Sequence, residues 1–323
     1  MKLASLNDGS RDGQLVVVSR DLSQAHFANG IASRLQQVLD DWNFISPPLE
    51  DLYTTLNQGK ARHAFAFDPR QCLAPLPRAG QWVSGGAYRR AEGADTGAAT
   101  SPRQLRGASD HFLGACAQAV FASEAAGIDC GAGLAAITGD VPQGADPEQA
   151  LDGVRLLLLA NTWTLREVEA AERALGAPPL HSQPATAFGP VAVTPDELGA
   201  AWAGGRVQAA LEVQRNGRRL GRLDPSVDMA FHFGQLIAHL SRTRALRAGS
   251  LVGTGPVAGG DPAQGFACIA DQRAVQAGEP QPTAAPIEWL RFGDTVRIEL
   301  FNAQGHSVFG AIEQDVAAPA TGE

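Results

Sequence analysis

Hydrophobic and polar positions alternate in short runs along most of this chain, and Gly, Asn, Asp and Pro separate the runs. KLASL, NDGSRDG and QLVVVSR in succession predict a β-hairpin whose turn is built from Asn, Asp and Gly. Over 30–42 the spacing becomes helical, with Ile31, Leu35, Val38 and Leu39 on one face. A second helix is predicted over 46–60, entered at Pro47-Pro48 and carrying Leu52 and Leu56. PLPRAGQW (75–82) reads as a Pro-punctuated connector. The boundary falls there, leaving a small N-terminal α/β domain over 1–75 and a larger β-rich domain over 76–323.

Residues 84–110 hold few large apolar side chains, so they read as a loop or lid. Beyond residue 120, AVFASEAAGIDC, GLAAITGDV, VRLLLLANTWTL and VQAALEVQRNGRRLGR predict strands, the last folded at an Asn216-Gly217 hairpin turn. TPDELG (194–199) has the form of a capping box, with Thr194 as N-cap, Pro195 first in the helix and Glu197 third. SVDMAFHFGQLIAHLSRTRAL places Met229, Phe233, Leu236, Ile237 and Leu240 at helical spacing. DTVRIELFNAQGHSVFGAIE closes the chain as a hairpin turning at Gln304-Gly305. The fold class is α+β and β-rich, with peripheral helices.

Composition narrows the partners. The 323 residues are 44% hydrophobic and carry a net charge of −8, which suits a large buried core and disfavours nucleic acid or an anionic membrane surface. Lys2 and Lys60 are the only lysines. Cys72, Cys116, Cys130 and Cys268 show no paired spacing and read as buried thiols of a reducing compartment. With neither a signal-peptide pattern nor a membrane span, a soluble cytoplasmic protein is expected.

Motifs that carry chemistry are few. His232 and His239 lie about 10.5 Å apart along a helix axis, too far to share one metal. GTGPVAGG (253–260) lacks the ending of a phosphate loop and reads as a tight loop near a cleft. No nucleophile elbow is present, and Asp110-His111 and the acidic pair Asp129/Asp140 read as solvated turn residues.

Taken in order, MKLASLNDGSRDGQLVVVSRDLS, FAFDPRQCLAPLPRAGQW, GIDCGAGLAAITGDV, SQPATAFGPVAVTPDELG, VDMAFHFGQLIAHLSRTRALRAGSLVGTG and RFGDTVRIELFNAQGHSVFGAIEQ resemble the fumarylacetoacetate hydrolase family across nearly the whole chain. The resemblance implies a mixed β-roll behind a small N-terminal domain, assembled as a homodimer. It also implies a Mg²⁺ or Ca²⁺ site of one Asp, an E-x-E pair and a further Asp. There the cation chelates a 1,3-dicarbonyl substrate while a His–Glu pair activates water for C–C cleavage. Carried onto this chain, the four ligand positions are Ser84, Gly131, Gly133 and Thr162. The catalytic His would follow Tyr88, where Arg89-Arg90-Ala91 stands. The active-site Lys position is Gln183, and the substrate-binding Thr position is Pro256.

Glycine supplies no ligand, and neutral hydroxyls do not balance a divalent charge. The resemblance therefore implies a scaffold kept and a metal site lost, with no cofactor expected. A metal-independent enzyme acting on a small organic acid, keto acid or polyketide-like substrate is the first reading, with a small organic acid or keto compound as partner and Tyr88, Arg89, Arg90, Arg166, His181 and Gln183 as candidate pocket groups. Arg166 would clamp a carboxylate or enolate, and His181 would act as acid or base. The second reading is a non-catalytic ligand-binding or structural partner. The third is a Mg²⁺- or Ca²⁺-dependent hydrolase using displaced ligands such as Asp110, Glu124 or Asp129.

Overall fold

The structure, a computed structural model, describes residues 1–88, 100–278 and 287–320. The opening hairpin forms as its alternation requires: β1 (Lys2–Leu6) pairs antiparallel with β2 (Gln14–Val18), with Leu3 opposite Val17. β3 (Gln24–Phe27) and the short β4 (Phe65–Ala66) extend that edge. Between them in the chain, α1 (Leu35–Asp40) and α2 (Trp42–Asn57) bury Leu35, Val38, Leu39, Leu49 and Leu56 in the same core as Leu3 and Val17. α2 starts at Trp42, ahead of the prolines expected to open it. Pro47 and Pro48 are tolerated inside the helix on its exposed side.

β5 (Trp82–Ser84) and β6 (Leu105–Gly107) pair with each other, so both ends of the expected loop over 84–110 are strand. Arg89, Arg90 and Ala91 lie outside the described residues. Next come β7 (Ala119–Val120), β8 (Ile128–Asp129), β9 (Ala132–Thr138) and β10 (Val154–Leu165). α3 (Pro147–Asp152) precedes β10, capped by the Asp146 carboxylate, which accepts from the N–H groups of Glu148 and Gln149. β10 is the apolar run VRLLLLANTWTL. Leu156 and Leu158 point into one core and Leu157 and Leu159 into the other, as strand alternation dictates.

α4 (Arg166–Ala174) follows directly, and β11 (Ala185–Phe188) and β12 (Ala192–Val193) return to pair with β10. The capping box expected at 194–197 does not form. Pro195–Ala201 is 3-10 helix, the Thr194 hydroxyl is held by Met1, and Glu197 pairs with Arg20. β13 (Trp202–Ala203) and β14 (Arg206–Val207) make a small ribbon. β15 (Ala210–Arg215) and β16 (Arg218–Leu223) form the predicted hairpin, with φ of +52° at Asn216 and +71° at Gly217 as a primed turn needs.

α5 (Phe233–Ser241) is shorter than its apolar pattern: His232 is its N-cap, and Met229 is buried ahead of it. β17 (Ser250–Pro256) takes up the first half of the Gly-rich stretch expected as loop. α6 (Ile269–Gly278), β18 (Thr295–Phe301) and β19 (Ile312–Ala317) complete the chain.

The order β4-β3-β2-β1-β12-β10-β9-β17-β5-β6, with β8 and β11 also on β10, makes a 12-stranded sheet. The N-terminal strands thus share a sheet with the rest of the chain, joined where Lys2 faces Val193. A second sheet runs β16-β15-β18-β19-β7. The architecture is α+β and strand-rich. Among the described residues, no helix is long and apolar enough to cross a membrane.

Candidate functional site

Ser84, Gly131, Gly133 and Thr162 are brought together where β5, β9, β10 and β17 meet. β17 runs parallel to β5 with Gly253 beside Ser84, and antiparallel to β9 with Pro256 beside Gly133. Between those two pairs β17 is irregular, and Gly255 takes a φ of +74° that an L side chain would strain. The bulge drives the Gly255 carbonyl onto Gly133, where a β-carbon would fall inside the 3.0 Å that real Cβ atoms do not cross. At Gly131 a β-carbon would meet Pro256 Cγ at 2.8 Å and the Thr162 carbonyl at 2.9 Å. Both glycines are conditions of this packing.

The neighbouring polar groups are engaged with one another. The Gly255 N–H donates to Ser84 Oγ at 3.2 Å, and the Leu134 N–H to Thr254 Oγ1 at 3.1 Å. Asn161 Oδ1 accepts from the Gly131 N–H at 2.9 Å, and the Thr162 N–H donates back to the Gly131 carbonyl. Thr162 stands in register with Thr186, whose hydroxyl accepts from Trp82 Nε1. The junction is buried and lined by hydroxyls and amides. Sequence reasoning passed over Thr254, Gly255 and Asn161. The signal available was Gly-Thr-Gly-Pro, which only its pairing with β9 distinguishes from a loop.

Among the described candidate pocket groups, Arg166 lies beside the turn that carries His181 and Gln183, where the Leu165 N–H donates to the Ser182 carbonyl, and Tyr88 sits on a separate bridge. Tyr88 is buried, bridges to Met229 and donates its hydroxyl to the Pro225 carbonyl at 2.6 Å, and burial pushes its phenol well above its usual range. Arg166 forms ion pairs at 2.9 Å with both Asp129 and Glu169, so its guanidinium is already committed to carboxylates of this chain. Asp129 is wholly buried, which corrects the solvated-turn reading. Besides Arg166, its carboxylate accepts from the Ile269 N–H at 2.8 Å and the Ala270 N–H at 3.1 Å, at the start of α6. Burial pushes that carboxyl up, against the pull of Arg166 and the two N–H groups. Asp140 is exposed and accepts from the Ala248 N–H.

His181 is exposed and Gln183 half-buried, both in the turn after α4. Glu172 holds that turn by accepting from the N–H groups of Leu180 and His181 and from the Ser182 hydroxyl. These bonds draw its carboxyl down to about 2.

Comparison with known proteins fits this layout. The family description "Fumarylacetoacetate (FAA) hydrolase C-terminal" matches residues 87–317, and "Fumarylacetoacetase N-terminal domain 2" matches 1–78. The chain belongs to the fumarylacetoacetate hydrolase family. Among solved structures of the same fold is a fumarylacetoacetate hydrolase from psychrophilic Exiguobacterium antarcticum, 19% identical, with 98% of this chain and 99% of that one covered and a TM-score of 0.68. A maleylpyruvate hydrolase from Sphingobium sp. SYK-6, in complex with manganese(II) and pyruvate, is 14% identical over 98% and 99% of the two chains, with a TM-score of 0.65. A 2-hydroxyhepta-2,4-diene-1,7-dioate isomerase from Mycobacterium marinum is 16% identical over 99% and 100%, with a TM-score of 0.59. Curated protein sequences give no match.

The fumarylacetoacetate hydrolase fold therefore spans the whole chain. The positions that the resemblance assigns to the family's metal ligands carry here two hydroxyls and two bare Cα carbons. That donor set does not fit Mg²⁺ or Ca²⁺, which take six or more oxygens with carboxylate charge among them. Among the described residues, no three of His, Cys, Asp and Glu are grouped as a metal would need. Asp129, the carboxylate nearest in sequence, is held by Arg166 and α6.

Proposed function

We propose that this chain is a metal-independent fumarylacetoacetate hydrolase homologue that binds a small keto acid or related organic acid and has lost the metal-dependent hydrolysis of the family. The observation that carries this reading is the Gly255 carbonyl packed onto Gly133, because it leaves no room for a ligand side chain without remaking the β9–β17 pairing. Three of the other candidate groups point the same way. Tyr88 and Arg166 are held by partners within the fold, and His181 faces solvent. A binding role therefore has more support than a replacement catalytic one. Support for the ligand class comes from the maleylpyruvate hydrolase of the same fold that was solved with manganese(II) and pyruvate. The proposed assembly is the homodimer that the resemblance implies.

The test is to incubate the protein with acetylpyruvate and follow loss of the enol absorbance with Mg²⁺, with Mn²⁺ and with EDTA, alongside calorimetric titration with pyruvate. The expected result is no turnover in any condition and pyruvate binding that EDTA leaves intact and that persists in a Lys2→Met variant, whose substituted side chain lies outside the strand junction. Turnover that depends on either cation would overturn the proposal. Turnover in EDTA would replace the binding role with metal-independent catalysis. Metal polarisation supplies several kcal/mol to such a reaction, and each ~1.4 kcal/mol is tenfold in rate, so the contrast is easily read.

A further inference from the structure

An open crevice of about 800 Å³ lies between the N-terminal strands and the loop joining β18 to β19, and none of its lining residues belongs to the strand junction. Lys2 lines it, with Arg20, Asp21, Glu197, His306 and Ser307 around it. Lys2 is only 3% exposed, and its ammonium donates to the Val308 carbonyl at 2.6 Å. An ammonium carries three N–H donors, and no carboxylate of the described residues forms an ion pair with this one. Asp21 is engaged by the hydroxyls of Ser19 and Ser23, and Glu197 by Arg20 and the Met1 amino group. Ser307 Oγ is buried on the same crevice with no hydrogen-bond partner.

A buried ammonium with donors to spare and an unpartnered hydroxyl on the same crevice make an unfavourable arrangement until an acceptor arrives. We propose that the crevice binds a small monocarboxylate whose oxygens accept from Lys2 Nζ and Ser307 Oγ. The charge balance selects the class. Lys2 and Arg20 stand against Asp21 and Glu197, so the walls are close to neutral and favour a singly charged group over a phosphate. Burial lowers the Lys2 ammonium to about 8, with Arg20 adding to the fall and Glu197 and Asp21 opposing it. A bound carboxylate adds an opposing charge and raises it again.

The sequence makes the test direct, because Lys2 and Lys60 are the only lysines. Protein labelled with 13Cε-lysine gives two side-chain resonances, assigned by Lys60→Arg, and these are followed during titration with lactate and across pH. The Lys2 resonance is expected to shift saturably, with its titration midpoint rising by about one pH unit, while Lys60 stays in place. Ser307→Ala is expected to weaken lactate binding about tenfold, the loss of one hydrogen bond to a charged group. Inorganic phosphate should leave Lys2 unmoved. A Lys2 signal indifferent to lactate, or one that moves together with Lys60, overturns the proposal. So does a stronger response to phosphate than to lactate.

Discussion

Residue 133 packs its bare Cα under the carbonyl of Gly255, so the side chain it lacks is a condition of the β9–β17 pairing. Gly133→Ala is expected to destabilise the fold by about 3 kcal/mol, the upper part of the usual range for overpacking, because the obstructing atom is backbone and cannot swing aside. Urea denaturation measures it, and a loss below ~1 kcal/mol would show that β17 yields. Asp129 teaches a second lesson. In the sequence it is one acidic residue beside a glycine-rich stretch. Its partners, Arg166 and the first N–H groups of α6, lie far along the chain, where no local pattern points to them. Removing it takes from the buried Arg166 guanidinium a wholly buried carboxylate at 2.9 Å, so Asp129→Ala should lower stability by about 3–5 kcal/mol. The double variant Asp129→Leu/Arg166→Met should lose clearly less than the sum of the single changes, as a denaturation cycle would read.

Among the elements, those decided by neighbouring residues were legible and those decided by distant ones were not. The β15–β16 hairpin follows from Asn216-Gly217 alone, since both positions need positive φ and these residues accept it. The capping box at Thr194 satisfied the local rule equally well, yet Met1 and Arg20 took its two polar groups. α5 likewise begins at Phe233, because its N-cap is His232 and the apolar residues before it serve a different segment. The turn after α4 is set by one side chain, Glu172, which ties down Leu180, His181 and Ser182. Glu172→Gln is expected to speed amide exchange at Leu180 and His181, read residue by residue in heavy water. The depressed carboxyl fixes the pH dependence of the native turn. Its tightening is complete above the ordinary glutamate range near 4.5 and is lost as pH falls through about 2. Exchange rates unchanged by the substitution would assign the turn to its backbone alone.

At the scale of the molecule, ordered sequence blocks were enough for the fold family, while the strand order was not readable from them. Pairing depends on which runs meet in space, and β1 meets β12 instead of a strand of its own segment on that side. The family descriptions divide at 1–78 and 87–317, yet one sheet crosses that division. This continuity shapes how the chain can be made. The Thr194 hydroxyl and the Met1 carbonyl that close the seam are 193 positions apart. On a ribosome β1 emerges with β2 close behind it, but its other edge waits unpaired until β12 has been synthesised. High contact order of this kind slows folding and leaves open edges available to other chains. The N-terminal segment should therefore depend on chaperones during synthesis, and a nascent chain arrested before residue 193 would present β1 to the cell as an adhesive edge.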